Sequence, residues 1–170
     1  MDEEKRDPAS DPMVCRPIGR IRTPFTQVEG APIQPVGAEG AEGTVEVFEE
    51  FADGLKDLEG FSHIFLFYWF HRSGDWSPEV VPFMDDRLRG LFATRAPARP
   101  NPIGLSLVRL REVRGPVLLV EDVDMLDGSP LLDIKPYLPE FDSREVTARG
   151  WLEKNASKAR EMRADDRFRR

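Results

Sequence analysis

Residues 103–138 read IGLSLVRLREVRGPVLLVEDVDMLDGSPLLDIKPYL. Three apolar-rich runs follow one another, divided first by Arg114-Gly115-Pro116 and then by Asp127-Gly128. Glycine and proline break extended runs sharply, and Asp-Gly is a pair that tight hairpin turns prefer. The pattern predicts a strand meander, with a hairpin at Asp127-Gly128, and no alternation of strands with crossover helices.

Working outward, FSHIFLFYWF (61–70) is rich in aromatic and branched residues and apolar on both faces, which predicts a central strand covered on both sides. VCRPIGRIRTPF (14–25) reads as a short strand interrupted by Pro17, and GTVEVF (43–48) alternates as a strand should. Between them APIQPVGAEGAEG (31–43) has too much glycine and proline for regular structure. Phe51, Leu55 and Leu58 fall at helical spacing, which predicts a short inserted helix stopped by Gly60. From Gly150 onward, WLEKNASKAREMRADDRFRR predicts an amphipathic C-terminal helix docked through Trp151, Leu152 and Ala159. The expected organisation is a mainly β, closed or nearly closed barrel over residues 13–149, a disordered tail over 1–12 and a helical segment over 150–170.

The segment FATRAPARPNPIGLS (92–106) links two of these runs. Pro97, Pro100 and Pro102 fix their own φ and push the preceding residues toward extended geometry, so the segment is a stiff loop. Stiffness lowers the ordering cost when Arg95, Arg99 and Asn101 meet a ligand; a solvated arginine loop has the same local pattern.

The chain of 170 residues has a net charge of −7, which argues against a uniformly basic nucleic-acid-binding surface. The charge is segregated, however. Residues 37–59 carry eight carboxylates and one lysine, whereas residues 87–114 carry seven arginines and one acid, Glu112. Such a stretch can hold RNA locally, and it can equally be a solvated face. The lone Cys15 excludes an intrachain disulfide, a CxxC pair and a cysteine-rich zinc cluster, and a reducing cytoplasm suits it. An acidic, proline-bearing start and an apolar run limited to IFLFYWF (64–70) predict neither an export signal nor a membrane span.

Neither GK[ST] nor GxGxxG occurs, so a P-loop or Rossmann nucleotide site is not expected. His63 and His71 lie eight positions apart, roughly 26 Å along a strand, too far to share a metal. His63 reads as a packed residue, and His71 as a rim residue open either to packing or to a ligand. Asp127, Gly128 and Ser129 make a turn that can also offer a carboxylate, a bare backbone and a hydroxyl to a small cofactor. Asp133, Lys135 and Tyr137 alternate along one strand face, either as a pocket wall or as a solvated surface.

Taken together, PIGRIRTPF, GFSHIFLFYWFH, FATRAPARPNPIGLSLVRL and DGSPLLDIKPYLP resemble the TrmO family, also called TsaA-like or YaeB-like, over roughly residues 16–140. The resemblance implies a seven-stranded β-barrel that uses S-adenosylmethionine without a Rossmann domain, with the cofactor near a homodimer interface. It implies methylation of N6 of threonylcarbamoyladenosine at tRNA position 37. The motifs that match cofactor contacts are Pro32, Ile33 and Gln34, then His71 with Arg72, Arg95, Leu105, and Leu126, Asp127, Gly128 and Ser129; the family often has arginine where this chain has Ile33. Arg99, Asn101, Lys135 and Tyr137 are the candidates for gripping RNA, and Asp133, His71 or Asp127 for taking the proton from the acceptor nitrogen. No resident metal is implied. Longer members carry a further C-terminal region, so the same barrel serving a small-molecule methyltransferase, or a noncatalytic regulator, stays open.

Overall fold

The structure is a computed structural model that describes residues 12–169. Apart from Pro12, the tail expected over 1–12 lies outside the described residues. Eight strands occur in chain order: β1 (Gly19–Arg22), β2 (Glu42–Val47), β3 (His63–Trp69), β4 (Glu79–Val80), β5 (Arg89–Gly90), β6 (Ile103–Arg114), β7 (Val117–Glu121) and β8 (Ser129–Pro136). Six of them close a barrel in the order β1-β2-β7-β6-β3-β8, and β8 returns to β1 through the pairs Gly19↔Leu131 and Ile21↔Ser129. The barrel therefore has six strands where seven were expected. The remaining two, β4 and β5, form a separate ribbon in the long connection from β3 to β6.

Within β3 the residues Ile64, Leu66 and Tyr68 point inward and are buried, while His63, Phe65, Phe67 and Trp69 point outward and are only half-buried. The strand is thus central, between β6 and β8, but it is covered on its inner face alone. Its aromatic outer face is why periodicity was invisible in the sequence: both faces are apolar, for different reasons. Inward side chains from every barrel strand, among them Ile21, Val45, Val108, Leu118 and Leu131, fill the interior completely, as a small barrel requires.

The turn at Gly115, with φ of 57°, joins β6 to β7 as a hairpin. Asp127-Gly128 does not make the expected hairpin, because β7 pairs with β2 and β6 while β8 pairs with β1 and β3. Gly128 instead takes φ of 78° and donates its N–H to the Ile21 carbonyl, which starts β8 alongside β1.

The inserted helix is two 3-10 segments, Glu49–Leu55 and Leu58–Gly60, interrupted at Asp57, whose φ is 67°. Three-residue turns keep Phe51, Leu55 and Leu58 against the barrel, so the apolar spacing survives the change of helix type. The C-terminal helix is likewise replaced by 3-10 segments at Gly150–Leu152 and Ala156–Arg160 and an extended stretch beyond them. The reason is where the backbone hydrogen bonds go. Residues 149–162 bond to themselves in short turns, whereas Ala164 exchanges bonds with Gly30 and Ala31 at 2.9 and 2.8 Å and the Phe168 carbonyl accepts from Gly74 at 2.9 Å, so a continuous helix gives way to pairing with distant loops. Phe168 then packs edge-on against Phe83 at 5.1 Å, in a second apolar cluster with Val80, Leu91, Ala96 and Ala98.

Because Leu66 is 0% exposed at the middle of the barrel, Leu66→Ala is expected to cost about 2–5 kcal/mol. Urea denaturation should show this as a lower midpoint with an unchanged slope.

Candidate functional site

At the end of the barrel where β3 finishes and β6 and β8 begin, the surface opens into a cleft of about 770 Å³. Its walls come from seven places in the chain: residues 31–34, the turn after β3 at 70–73, the β4–β5 connection at 82–84, the stiff loop at 92–99, the start of β6 at 103–105, the β7–β8 connection, and the C-terminal segment through Trp151, Leu152 and Phe168. Loops gather here because each barrel strand at this end must connect across the mouth.

The stiff loop is anchored by alternation. Ala96 and Ala98 are buried in the Phe168 cluster, which itself borders the cleft, and Arg95 and Arg99, alternating with these alanines, line the cleft as well. Arg95 donates to the Gln34 side chain at 2.8 Å, joining two walls. Arg99 donates to the carbonyls of Thr94 and Ala96 and lies 5.6 Å from the Phe92 ring, so it braces the loop as well as bordering the mouth. Trp151 closes the wall by donating its indole N–H to the Ala93 carbonyl at 2.8 Å.

The floor is polar, and the sequence reading missed it. Gly104 faces inward beside Tyr68, and a Cβ at that position would collide with the Tyr68 ring, so the glycine is what lets the ring lie across β6. The Tyr68 hydroxyl is thereby 3.1 Å from Ser106 Oγ, and Ser106 donates to Asp124 Oδ1 at 2.6 Å. Ser106 has one proton to give, so Tyr68 is the donor in its contact with Ser106. Burial raises the Asp124 pKa to about 6, against the lowering effect of the Ser106 hydrogen bond and the Arg95 charge. Burial and the Asp124 charge push the Tyr68 hydroxyl well above the ordinary tyrosine range. Asp124 stands in the run EDVDMLDGS, where three aspartates at nearby positions look interchangeable; only the topology distinguishes the one that turns inward.

Of the residues singled out in the sequence, Pro32, Ile33, Gln34, His71, Arg72, Arg95, Leu105, Leu126 and Ser129 line this one cleft. His71 Nδ1 is 3.4 Å from the Ser129 hydroxyl, which donates to the Leu126 carbonyl. Burial and the neighbouring Arg72 charge lower the His71 pKa, leaving the imidazole neutral at pH 7. Asp127 and Gly128 do not line the cleft. The Asp127 carboxylate accepts from the Thr23 amide at 3.1 Å and lies 3.8 Å from Arg22, so it fixes the start of β8 against the end of β1.

Asp133, Lys135 and Tyr137 are on the outer wall of the barrel. Asp133 pairs in register with the outward Phe67 and forms a 2.8 Å ion pair with Lys135, and Tyr137 packs edge-on against Phe65 at 5.6 Å. Asn101 is exposed just ahead of β6. The arginine-rich stretch is divided: Arg95 and Arg99 are at the cleft, whereas Arg109 and Arg111 are at the far end of β6, 3.9 and 3.3 Å from Glu121. A second depression of about 610 Å³ on that wall is bordered by Arg22, Arg111, Glu42, Glu112 and Glu121; Arg111 is engaged by Glu121 and Arg22 by Glu46. Among the described residues no group of three or more His, Cys, Asp or Glu side chains gathers to hold a metal, and no helix is long and apolar enough to cross a membrane.

Residues 20–143 match the family described as the tRNA-methyltransferase O N-terminal domain. The chain belongs to that family. It is 58% identical over 157 residues to a probable S-adenosyl-L-methionine-binding protein of Pyrococcus abyssi, covering 92% of this chain and 85% of that one. It is 40% identical over 136 residues to the tRNA (adenine(37)-N6)-methyltransferase of Escherichia coli, covering 74% of this chain and 58% of the enzyme. A crystal structure of TrmO superposes with a TM-score of 0.70 at 38% identity, over 82% of this chain and 64% of that one. The chain thus spans most of the archaeal relative and under two thirds of the bacterial enzyme.

The His71 environment has a directly measurable consequence. Its imidazole should titrate below the ordinary histidine midpoint by proton NMR, and Arg72→Ala should move that midpoint upward, since the Arg72 charge disfavours the imidazolium.

Proposed function

We propose that this protein is an S-adenosylmethionine-dependent methyltransferase acting on N6 of threonylcarbamoyladenosine at tRNA position 37, working in the cytoplasm. The observation that carries the reading is the coincidence of a family match over residues 20–143 with a cleft lined by nine of the eleven residues that the motifs match to cofactor contacts. The cleft also suits the cofactor chemically. Its volume lies within the range for small-molecule sites, its walls at Ile33, Phe70, Leu105 and Leu126 are apolar enough for an adenine, and Arg72 and Arg95 suit a carboxylate. The Ser129 hydroxyl and neutral His71 add neutral polar groups for a ribose.

When bound, S-adenosylmethionine supplies an electrophilic methyl carbon on a sulfonium. The work of this chain is then positioning: the stiff loop, held by its buried alanines, keeps the Arg95 side of the cleft fixed, and the C-terminal segment, joined to that loop through Trp151 and Phe168, extends the same wall against water. In the best cases, such orientation is worth about 7–11 kcal/mol of the barrier. Arg99 and Asn101 border the route by which the nucleotide arrives, whereas Lys135 and Tyr137, level with Phe65 and His63, lie toward the barrel end remote from the cleft and would meet a more distant part of the RNA.

The protein is further read as a homodimer, its barrel domain at 13–149 and its cleft completed by residues 150–170. Support comes from the outer face of β3 and β6, where Phe65, Phe67 and Trp69 lie beside Ile103 and Leu105, 40% and 47% exposed. Leu105 belongs both to this face and to the cleft lining, so a second copy seated there borders the cofactor.

Incubation with labelled S-adenosylmethionine and total tRNA, followed by nucleoside analysis, should give a methylated threonylcarbamoyladenosine. Arg99→Ala should leave cofactor affinity nearly intact while weakening tRNA binding and reducing its salt slope by about one contact, since each phosphate neutralised on a single strand contributes about 0.7 to that slope. A salt-independent reaction on the free nucleoside, equally fast in the variant, would favour a small-molecule substrate.

A further inference from the structure

Asp124 is the one carboxylate among the described residues that line the cleft, where it shares the walls with Arg72, Arg95, Arg99 and His71. Its Oδ1 accepts from the neutral Ser106 hydroxyl, and Arg95 acts on it through space without forming an ion pair. The other carboxylates near the motifs are already engaged away from the cleft: Asp127 holds the Thr23 amide and Asp133 pairs with Lys135. His71 is tied to Ser129 at the rim, and its surroundings disfavour the protonated form. An amine that gains a methyl group must lose a proton, and an exocyclic adenine nitrogen, whose lone pair is drawn into the ring, reacts poorly unless the proton leaves as the bond forms.

We propose that Asp124 is the proton acceptor for the reacting nitrogen, and that Ser106 and Tyr68 are positioning residues that hold its carboxylate at the cleft floor. The proposal rests on the methyl-transfer reading. As the nitrogen–carbon bond forms, the carbon–sulfur bond breaks with its electron pair passing to sulfur, and the proton on nitrogen passes to Asp124. The hydroxyl chain is arranged for this. With Tyr68 donating to Ser106 and Ser106 donating to Asp124, both hydroxyl protons point toward the carboxylate and stabilise its charged form. The groups that face it are Tyr68 from β3, Ser106 from β6 and Arg95 from the stiff loop, with His71 and Arg72 across the cleft. A carboxyl that titrates near 6 is ionised at neutral pH yet basic enough to take a proton, so activity should rise with pH through that value and level off above it.

The test compares the wild type with Asp124→Asn and Ser106→Ala, using tRNA and saturating S-adenosylmethionine. Asp124→Asn should lower kcat by about 100-fold or more and abolish the acid limb of the pH profile. Calorimetric cofactor affinity should stay within about threefold, because the proton leaves the acceptor and not the cofactor. Ser106→Ala should move the acid limb to higher pH, since the lost hydrogen bond was lowering the Asp124 pKa. In cofactor-free protein the Asp124 carboxyl carbon should titrate near 6 by NMR and shift upward in Ser106→Ala. An Asp124→Asn protein that keeps kcat, or loses cofactor affinity more than tenfold while keeping kcat at saturation, overturns the inference, as does an acid limb that Ser106→Ala leaves in place. A wild type that binds cofactor but methylates no tRNA sinks the methyl-transfer reading and this inference with it, whereas a methylating wild type with an indifferent Asp124 sinks the inference alone.

Discussion

The Tyr68 ring lying against the bare backbone of Gly104 is the contact on which the cleft depends. Any side chain at 104 would push the ring out of the barrel, and with it the hydroxyl that reaches Ser106. Lower in the barrel the inward positions of β3 and β6 are Ile64, Leu66, Val108 and Leu110, an apolar filling that excludes water. Ser106 already stands opposite Leu66, and one layer higher Tyr68 faces Gly104. The strand period of two therefore does two jobs in a single pair of strands: it packs a core and then, without any break in register, presents hydroxyls to the cleft.

The walls rest on a different device. The arginines of the stiff loop are placed by the alanines between them: Ala96 and Ala98 are small enough to sink beside Leu91 and Phe168, and the extended backbone that the prolines impose then sets Arg95 and Arg99 in alternation with them along the cleft. Rigidity and placement thus have separate causes. Proline supplies the first, and burial of a small apolar residue at every second position supplies the second.

Much of this was legible in the sequence, for identifiable reasons. The β class, the short first strands, the Gly115 turn and the absence of βαβ units follow from glycine and proline placement and from alternation, which are local signals. The Asp127-Gly128 hairpin failed because the same dipeptide serves any turn with a left-handed residue, and only the strand order decides which strand comes next. The C-terminal segment carries helical spacing at Trp151, Leu152 and Ala159, yet the backbone of Ala164 and Phe168 is used by loops some ninety or more residues earlier, a competition no window of sequence contains. Nine motif residues gather in the cleft, but Asp133, Lys135 and Tyr137 alternate on the outer wall; alternation reveals that residues share a face and not which face it is. Asp124 was hidden between Asp122 and Asp127 for the same reason.

The C-terminal stretch also fixes an order of events during synthesis. All six barrel strands are encoded by residue 136, whereas the cleft draws its last wall from Trp151, Leu152 and Phe168, and the loops at 30–31 and 74 wait for partners at 164 and 168. A nascent chain has the residues for its barrel before it has those for a full cleft, and the two are separated by the time the ribosome takes to add some thirty residues, a few seconds at about 5–20 residues per second. Tight capture of a ligand by the finished site thus belongs to the completed chain, and a ribosome stalled after residue 136 would display a barrel whose mouth is still open on one side.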